Sequence, residues 1–215
     1  MSRREESKEF NRRRIRATAE DIIRSEGIEH LSMRRLAEQA DVSLRTPYNL
    51  FGSKTDILIS LMQEAEAELA LPATGNDQHS VLQQLLWSLD RIEAFFGSDE
   101  EYFRSIYTSI MTSDHPEARK TAVSRSVEMS CARLKQAADA GELLAGTDTQ
   151  HLGRHLALQL LAVLGMWGSG FFSNRECIAQ VRRGWLATLL QHCSEASKPS
   201  LAGAYREAFE TKVNS

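Results

Sequence analysis

Apolar residues recur at steps of three and four along almost all of this 215-residue chain, and no segment sustains the alternate-residue pattern of a half-buried strand. That spacing confines the chain to helices, because a 3.6-residue turn is what brings such positions onto one face. Ile15, Ala19, Ile22 and Ile23 form the first face, which ends at Gly27, where a residue without Cβ suits a helix cap. Three of the four prolines, Pro72, Pro116 and Pro199, fall in polar stretches between helical patterns, where a missing N–H does least harm. Only Pro47 lies inside an expected helix. The expected fold class is all-α, and no internal repeat is visible.

Two of the expected helices are short. Ser32 offers an N-cap for Met33 to Ala40, a tight turn Asp41-Val42-Ser43 follows, and Ser43 caps a second helix from Leu44 to about Phe51. Leu36, Ala37, Ala40, Val42 and Phe51 supply the apolar and small residues that let two such helices cross steeply. A helix-turn-helix of this kind leaves the outer side of its second helix free to enter a major groove, with Arg45, Thr46, Tyr48 and Asn49 as its exposed polar side chains. Beyond it, Ser53-x-x-Asp56 reads as a capping box starting a long helix with Ile57, Leu58, Leu61, Met62, Ala65 and Leu69 inward, broken from Leu71-Pro72 to His79. Further helices are expected near 80–96, 99–112, 117–140, 149–168, 174–196 and 200–213.

The segment Ile28-x-x-Leu31-Ser32-Met33-Arg34-Arg35-Leu36-Ala37, then Ala40-Asp41-Val42-Ser43, then Tyr48-x-x-Phe51-Gly52-Ser53-Lys54 resembles the N-terminal domain of the TetR (tetracycline repressor-like) family, over about residues 15–62. The resemblance implies a three-helix DNA-binding head at 1–54 on a helical effector-binding and dimerisation body at 55–215. It implies phosphate contacts from Ser32 and Arg34, and base or backbone contacts from Arg45, Thr46 and Asn49 on a recognition helix capped at Ser43. It also matches Tyr48 and Lys54 to the family's phosphate-contacting tyrosine and lysine. Lys54 has a separate physical argument, since a cation in the first turn of a capped helix sits beside free N–H groups.

Three residues depart from the family pattern. Pro47 stands where leucine is usual; as the fourth helical residue after Ser43 it removes a backbone bond, so a late start or a tilt of the recognition helix is expected. Leu50 replaces a common histidine, leaving a thymine methyl or the core as its partner. Asp41 replaces a common glycine and is expected to take the left-handed conformation that Asp tolerates.

Charge supports the same polarity. Residues 1–55 hold 12 basic and 9 acidic side chains, the remainder 14 and 20, so the basic end is the one suited to phosphate. For the body, the resemblance implies a small-molecule pocket and a dimer built by the helices near 149–168 and 174–196. Two apolar stripes, Leu152, Leu156, Leu160, Val163 and Trp167, then Ile178, Val181, Trp185, Leu189 and Cys193, read as more apolar face than one protomer covers, which favours pairing. Trp87, Phe95, Phe103, Tyr107, Met111, Met129 and Trp167 are the candidate pocket residues, although each equally suits an ordinary core.

The expected protein is a cytoplasmic regulator, a repressor released from a palindromic operator by a small apolar or amphipathic effector, and not an enzyme. The longest apolar stretch, Leu156 to Phe172, is interrupted by Gln159 and Ser169 and is short for a membrane span. The charged start lacks the apolar core of a signal peptide. Cys131, Cys177 and Cys193 form no metal or disulfide pattern and read as reduced, buried thiols. No cofactor is expected, and no metal. The alternative of another class is a helical carrier or enzyme using the His151-x-x-x-His155 pair, which lacks an evident third ligand.

Overall fold

The computed structural model describes the backbone of residues 2–70 and 79–210, and their side chains apart from 65–70, 118, 122 and 210. The break expected from Leu71-Pro72 onward, the inward positions Ala65 and Leu69, and the end at Val213 lie outside the described residues. Among the described residues there are ten α-helices: α1 (Arg3–Glu26), α2 (Met33–Gln39), α3 (Arg45–Phe51), α4 (Lys54–Ala70), α5 (Val81–Ser98), α6 (Glu100–Met111), α7 (Pro116–Asp139), α8 (Thr149–Gly168), α9 (Asn174–Leu189) and α10 (Lys198–Glu210). A 3-10 turn, Ile28–His30, joins α1 to α2. No described helix is long and apolar enough to cross a membrane.

The chain divides into two compact units, residues 1–70 with 101–119, and residues 71–100 with 120–215. In the first, α1 starts at a capping box in which Ser2 accepts from the Glu5 N–H at 3.3 Å and the Glu5 carboxylate accepts from the Ser2 N–H at 2.7 Å. Those bonds to Ser2 hold the Glu5 carboxyl below the usual carboxylate range. The face Ile15, Ala19, Ile22 and Ile23 is buried with Leu36, Ala37, Ile57 and Leu58. Gly27 closes α1 at φ +98°, a conformation that favours a residue without Cβ; the Glu29 carboxylate 2.6 Å from where a Cβ would stand is the end of a flexible side chain that can move aside.

In the second unit α9 is central, packed by α5, α8 and α10. Leu82, Leu86 and Leu89 of α5, Leu134 of α7, Leu152 and Leu156 of α8, and Ile178, Val181, Trp185 and Leu189 of α9 form its core. The Trp185 indole N–H donates to the Leu156 carbonyl at 3.1 Å, which lets a large ring be buried without an unsatisfied donor. Both stripes that suggested a second protomer are therefore covered within one chain, mostly to below a tenth exposed. Periodicity marked the inner faces correctly and assigned them the wrong partner. The outer side of α8 carries His151, His155, Leu158, Ala162 and Met166, all exposed.

Alpha-9 also ends at Leu189, before the expected Ala196. Nonlocal pairing replaces its last turns: Leu144 N–H donates to the His192 carbonyl at 2.8 Å and Ser194 N–H to the Glu142 carbonyl at 2.9 Å, around a Leu143–Cys193 bridge.

Helices α7 and α8 cross closely at Gly153, where a Cβ would lie 2.6 Å from the Cys131 Cα. Backbone cannot yield as a flexible side chain can. Gly153→Ala is expected to cost about 1–3 kcal/mol in denaturant unfolding; an unchanged midpoint would show that the two helices separate freely. The three cysteines are free and buried, and burial, with the Glu100 charge adding to it, pushes the Cys177 thiol up to about 12, away from thiolate chemistry.

Candidate nucleic-acid interface

Helix α2 begins where Ser32 accepts the Arg35 N–H at 3.2 Å, as an N-cap should. It ends at Gln39 with Ala40 as its C-cap, and the chain reverses through Asp41, whose φ of +46° is the left-handed conformation expected of it. Val42 N–H reaches back to the Ala37 carbonyl at 3.0 Å, closing the turn. With Leu36, Ala37 and Ala40 buried on the inner side, α3 is laid across α2.

As expected of Pro47, α3 starts late, by one residue: Leu44 and not Ser43 is its N-cap, without a side-chain capping bond, and the helix is not otherwise unwound. The helix starts at Arg45, so Pro47 is its third residue, within the first turn, where an N–H has no helical acceptor to lose. The preceding Thr46 N–H donates to the Ser43 carbonyl at 2.8 Å, a tighter bond in place of the one proline cannot make. The ring itself is buried. A single proline thus supplies apolar packing and a fixed φ at no hydrogen-bond cost.

Around this turn the outer side is left open. Ser32, Arg34, Ser43, Arg45, Tyr48 and Asn49 are exposed, and Tyr48 keeps half its surface, 51%, in solvent. Arg34 pairs with Glu38 at 2.9 Å on the α2 surface, which raises its already high pKa. Thr46 is half-buried, and its hydroxyl lies 2.8 Å from that of Ser43, so these two groups satisfy each other. Lys54 is also half-buried and donates to the Ile28 carbonyl at 2.8 Å. Burial lowers its pKa against the opposing pull of Glu29. In this state Lys54 fastens the first turn of α4 to the 3-10 turn. The Ser53–Asp56 cap beside it is present: Ser53 Oγ accepts the Asp56 N–H at 3.1 Å and donates to the Asp56 carboxylate at 2.6 Å.

Sequence reasoning missed three residues here. Arg14 donates to the Asp41 carbonyl at 2.7 Å and Arg12 to the Leu50 carbonyl at 3.4 Å, so α1 holds the turn and α3 by guanidinium groups. Arg12 is itself exposed, so the apolar face of α1 gives no signal for it. Leu44, immediately before α3, is 53% exposed, and nothing in the apolar pattern marks it as outward.

The candidate pocket residues divide between the units. Phe103 and Tyr107 are buried and Met111 half-buried in the first. In the second, Trp167 is fully buried, Phe95 half-buried, and Met129 and Trp87 exposed. Trp87 borders an open cleft of about 580 Å³ between α5, α9 and α10, whose polar lining includes Asp90, Arg182 and Glu207. His151 and His155 are exposed on α8, and among the described residues no group of three or more His, Cys, Asp or Glu is placed to hold a metal.

Residues 15–61 match the family model for bacterial regulatory proteins of the tetR family. No curated protein matches the chain. Among solved structures, TylP, a TetR regulator from Streptomyces fradiae, is 18% identical with a TM-score of 0.61, over 97% of this chain and 94% of that one. Thermus thermophilus FadR, a TetR-family repressor solved with lauroyl-CoA, is 19% identical with a TM-score of 0.65, over 83% and 93%. A gamma-butyrolactone receptor described as ArpA-like is 14% identical with a TM-score of 0.54, over 96% and 100%. At these identities the likeness shows the fold, while the family match rests on the head.

Proposed function

We propose that this chain, a DNA-binding regulator with the TetR-family head and fold, is a homodimeric repressor that leaves a palindromic operator when a small apolar or amphipathic effector binds its body. The observation that carries the reading is the recognition helix: its inner side is buried through Pro47, its backbone is tied to α1, and Arg45, Tyr48 and Asn49 face outward together. Side chains held on a rigid element toward solvent, with no structural bond of their own to make, are what groove readout needs.

A single recognition helix touches few base pairs, so two heads on a twofold axis are required for useful affinity. The surface offered for pairing is the outer side of α8, where Leu158 and Met166 stand exposed beside Ala162 and Gly165, with the adjoining helix α9. Small residues among exposed apolar ones allow two helices to approach closely. An effector of mixed character suits the similar proteins, one solved with lauroyl-CoA and another described as a gamma-butyrolactone receptor. Release requires a coupling of roughly 1–3 kcal/mol between effector and operator.

Selection of bound genomic fragments tests the reading. The protein is expected to retain a palindrome, and Arg45→Ala to relax base preference at one position per half-site at a cost of about 1–3 kcal/mol. Retention of no fragment, or of all sequences equally, would overturn it.

A further inference from the structure

We propose that Leu44 reads the C5-methyl group of a thymine in the major groove, so that part of the sequence recognition by this head is apolar; the inference rests on the DNA-binding reading above. Leu44 has helical backbone angles, φ −52° and ψ −30°, and stands at the head of α3 with 53% of its surface in solvent. Leu44 and Tyr48 are four residues apart, as are Arg45 and Asn49, so these four exposed side chains form one outward strip. The opposite side of the helix is committed to the interior through Pro47.

Leucine is a poor choice here for the free protein. Positions beginning a helix favour Ser, Thr, Asp or Asn, and Leu44 makes no side-chain capping bond. A residue that breaks a local preference on an otherwise well-formed surface points to a role outside the fold. The hydroxyls on either side, Ser43 and Thr46, are bonded to each other, so Leu44 and Arg45 are what the first turn presents. Its backbone is held as well: the Ser43 carbonyl accepts from Thr46, and Arg14 grips the Asp41 carbonyl.

The chemistry of the groove supplies the partner. Residues early in a recognition helix approach base edges, and the thymine methyl is the apolar group that unmodified base pairs show in the major groove. Leu44 and Arg45 are neighbours along the helix, so the thymine belongs beside the base pair that Arg45 contacts.

Replacing each thymine of the selected operator in turn by deoxyuridine removes that methyl and nothing else. Titration of wild-type protein is expected to show one thymine per half-site whose replacement weakens binding about fourfold, and about fifteenfold when both half-sites are changed. Leu44→Ala is expected to bind more weakly, to lose that sensitivity at that thymine alone, and to unfold close to the wild-type temperature, because more than half of the residue lies in solvent and its side chain makes no capping bond. Leu44→Met is expected to keep the sensitivity. If wild type holds its operator but Leu44→Ala is equally sensitive, or no thymine responds, the inference is overturned while the DNA-binding reading stands. If no DNA is held at all, both fall.

Discussion

Trp167→Ala is expected to destabilise the fold by about 3–5 kcal/mol. The ring is fully buried, lies 5.0 Å from Phe96 in a stacked arrangement, and donates its indole N–H to the Glu100 carboxylate at 3.0 Å. Truncation removes the largest fully buried side chain among the described residues and leaves a cavity that rigid helices cannot close. It also takes a donor from a carboxylate, which adds to the loss. Trp167→Phe keeps most of the packing and is expected to fall between wild type and alanine. Denaturant unfolding measures both. A loss under about 1 kcal/mol for the alanine variant would mean that the site collapses or fills with water, contrary to the density expected of a core.

The second large effect is on the proposed operator complex. With a phosphate replacing the Ile28 carbonyl as the partner of Lys54, two heads bring two copies each of Arg34, Arg45 and Lys54, about six cations able to displace condensed counterions. Affinity is then expected to fall about a thousandfold between 50 and 200 mM salt. Arg34→Ala is expected to flatten the salt slope by roughly 2, one phosphate per head, and to weaken all sequences alike. Arg34 is well placed for this because its bond to Glu38 is on the surface, where a phosphate can displace the carboxylate. A slope unchanged by the substitution would remove Arg34 from the interface.

The head was largely legible in the sequence because its signals are local. The Ser32 cap, the left-handed Asp41, the buried Leu36 and Ala40 and the outward Arg45, Tyr48 and Asn49 each follow from residues within one or two turns. The late start that Pro47 implies is present, whereas the cap at Ser43 is not, because the one-residue shift moves the N-cap to Leu44. In the body, periodicity identified which side of α8 and α9 is apolar, but a period does not say whether the covering surface comes from the same chain. The end of α9 was equally hidden, since it is set by backbone pairing with residues 142–144, some fifty positions away. Leu44 entered only as the expected first residue of the second helix, and the apolar pattern says nothing of its exposure.

The placement of Pro47 carries one more consequence. Its ring would collide with the carbonyl four residues back if Ser43 joined the helix, so α3 cannot grow backward into the turn. Gly52, at φ +98°, stops it at the other end. A seven-residue helix with a stop at each end has a single phase of rotation, and a sliding register would otherwise turn every outward side chain by about 100° per residue. The proline therefore acts as an index mark: it fixes which angle Leu44, Arg45, Tyr48 and Asn49 present, and makes the reading edge the same in every molecule.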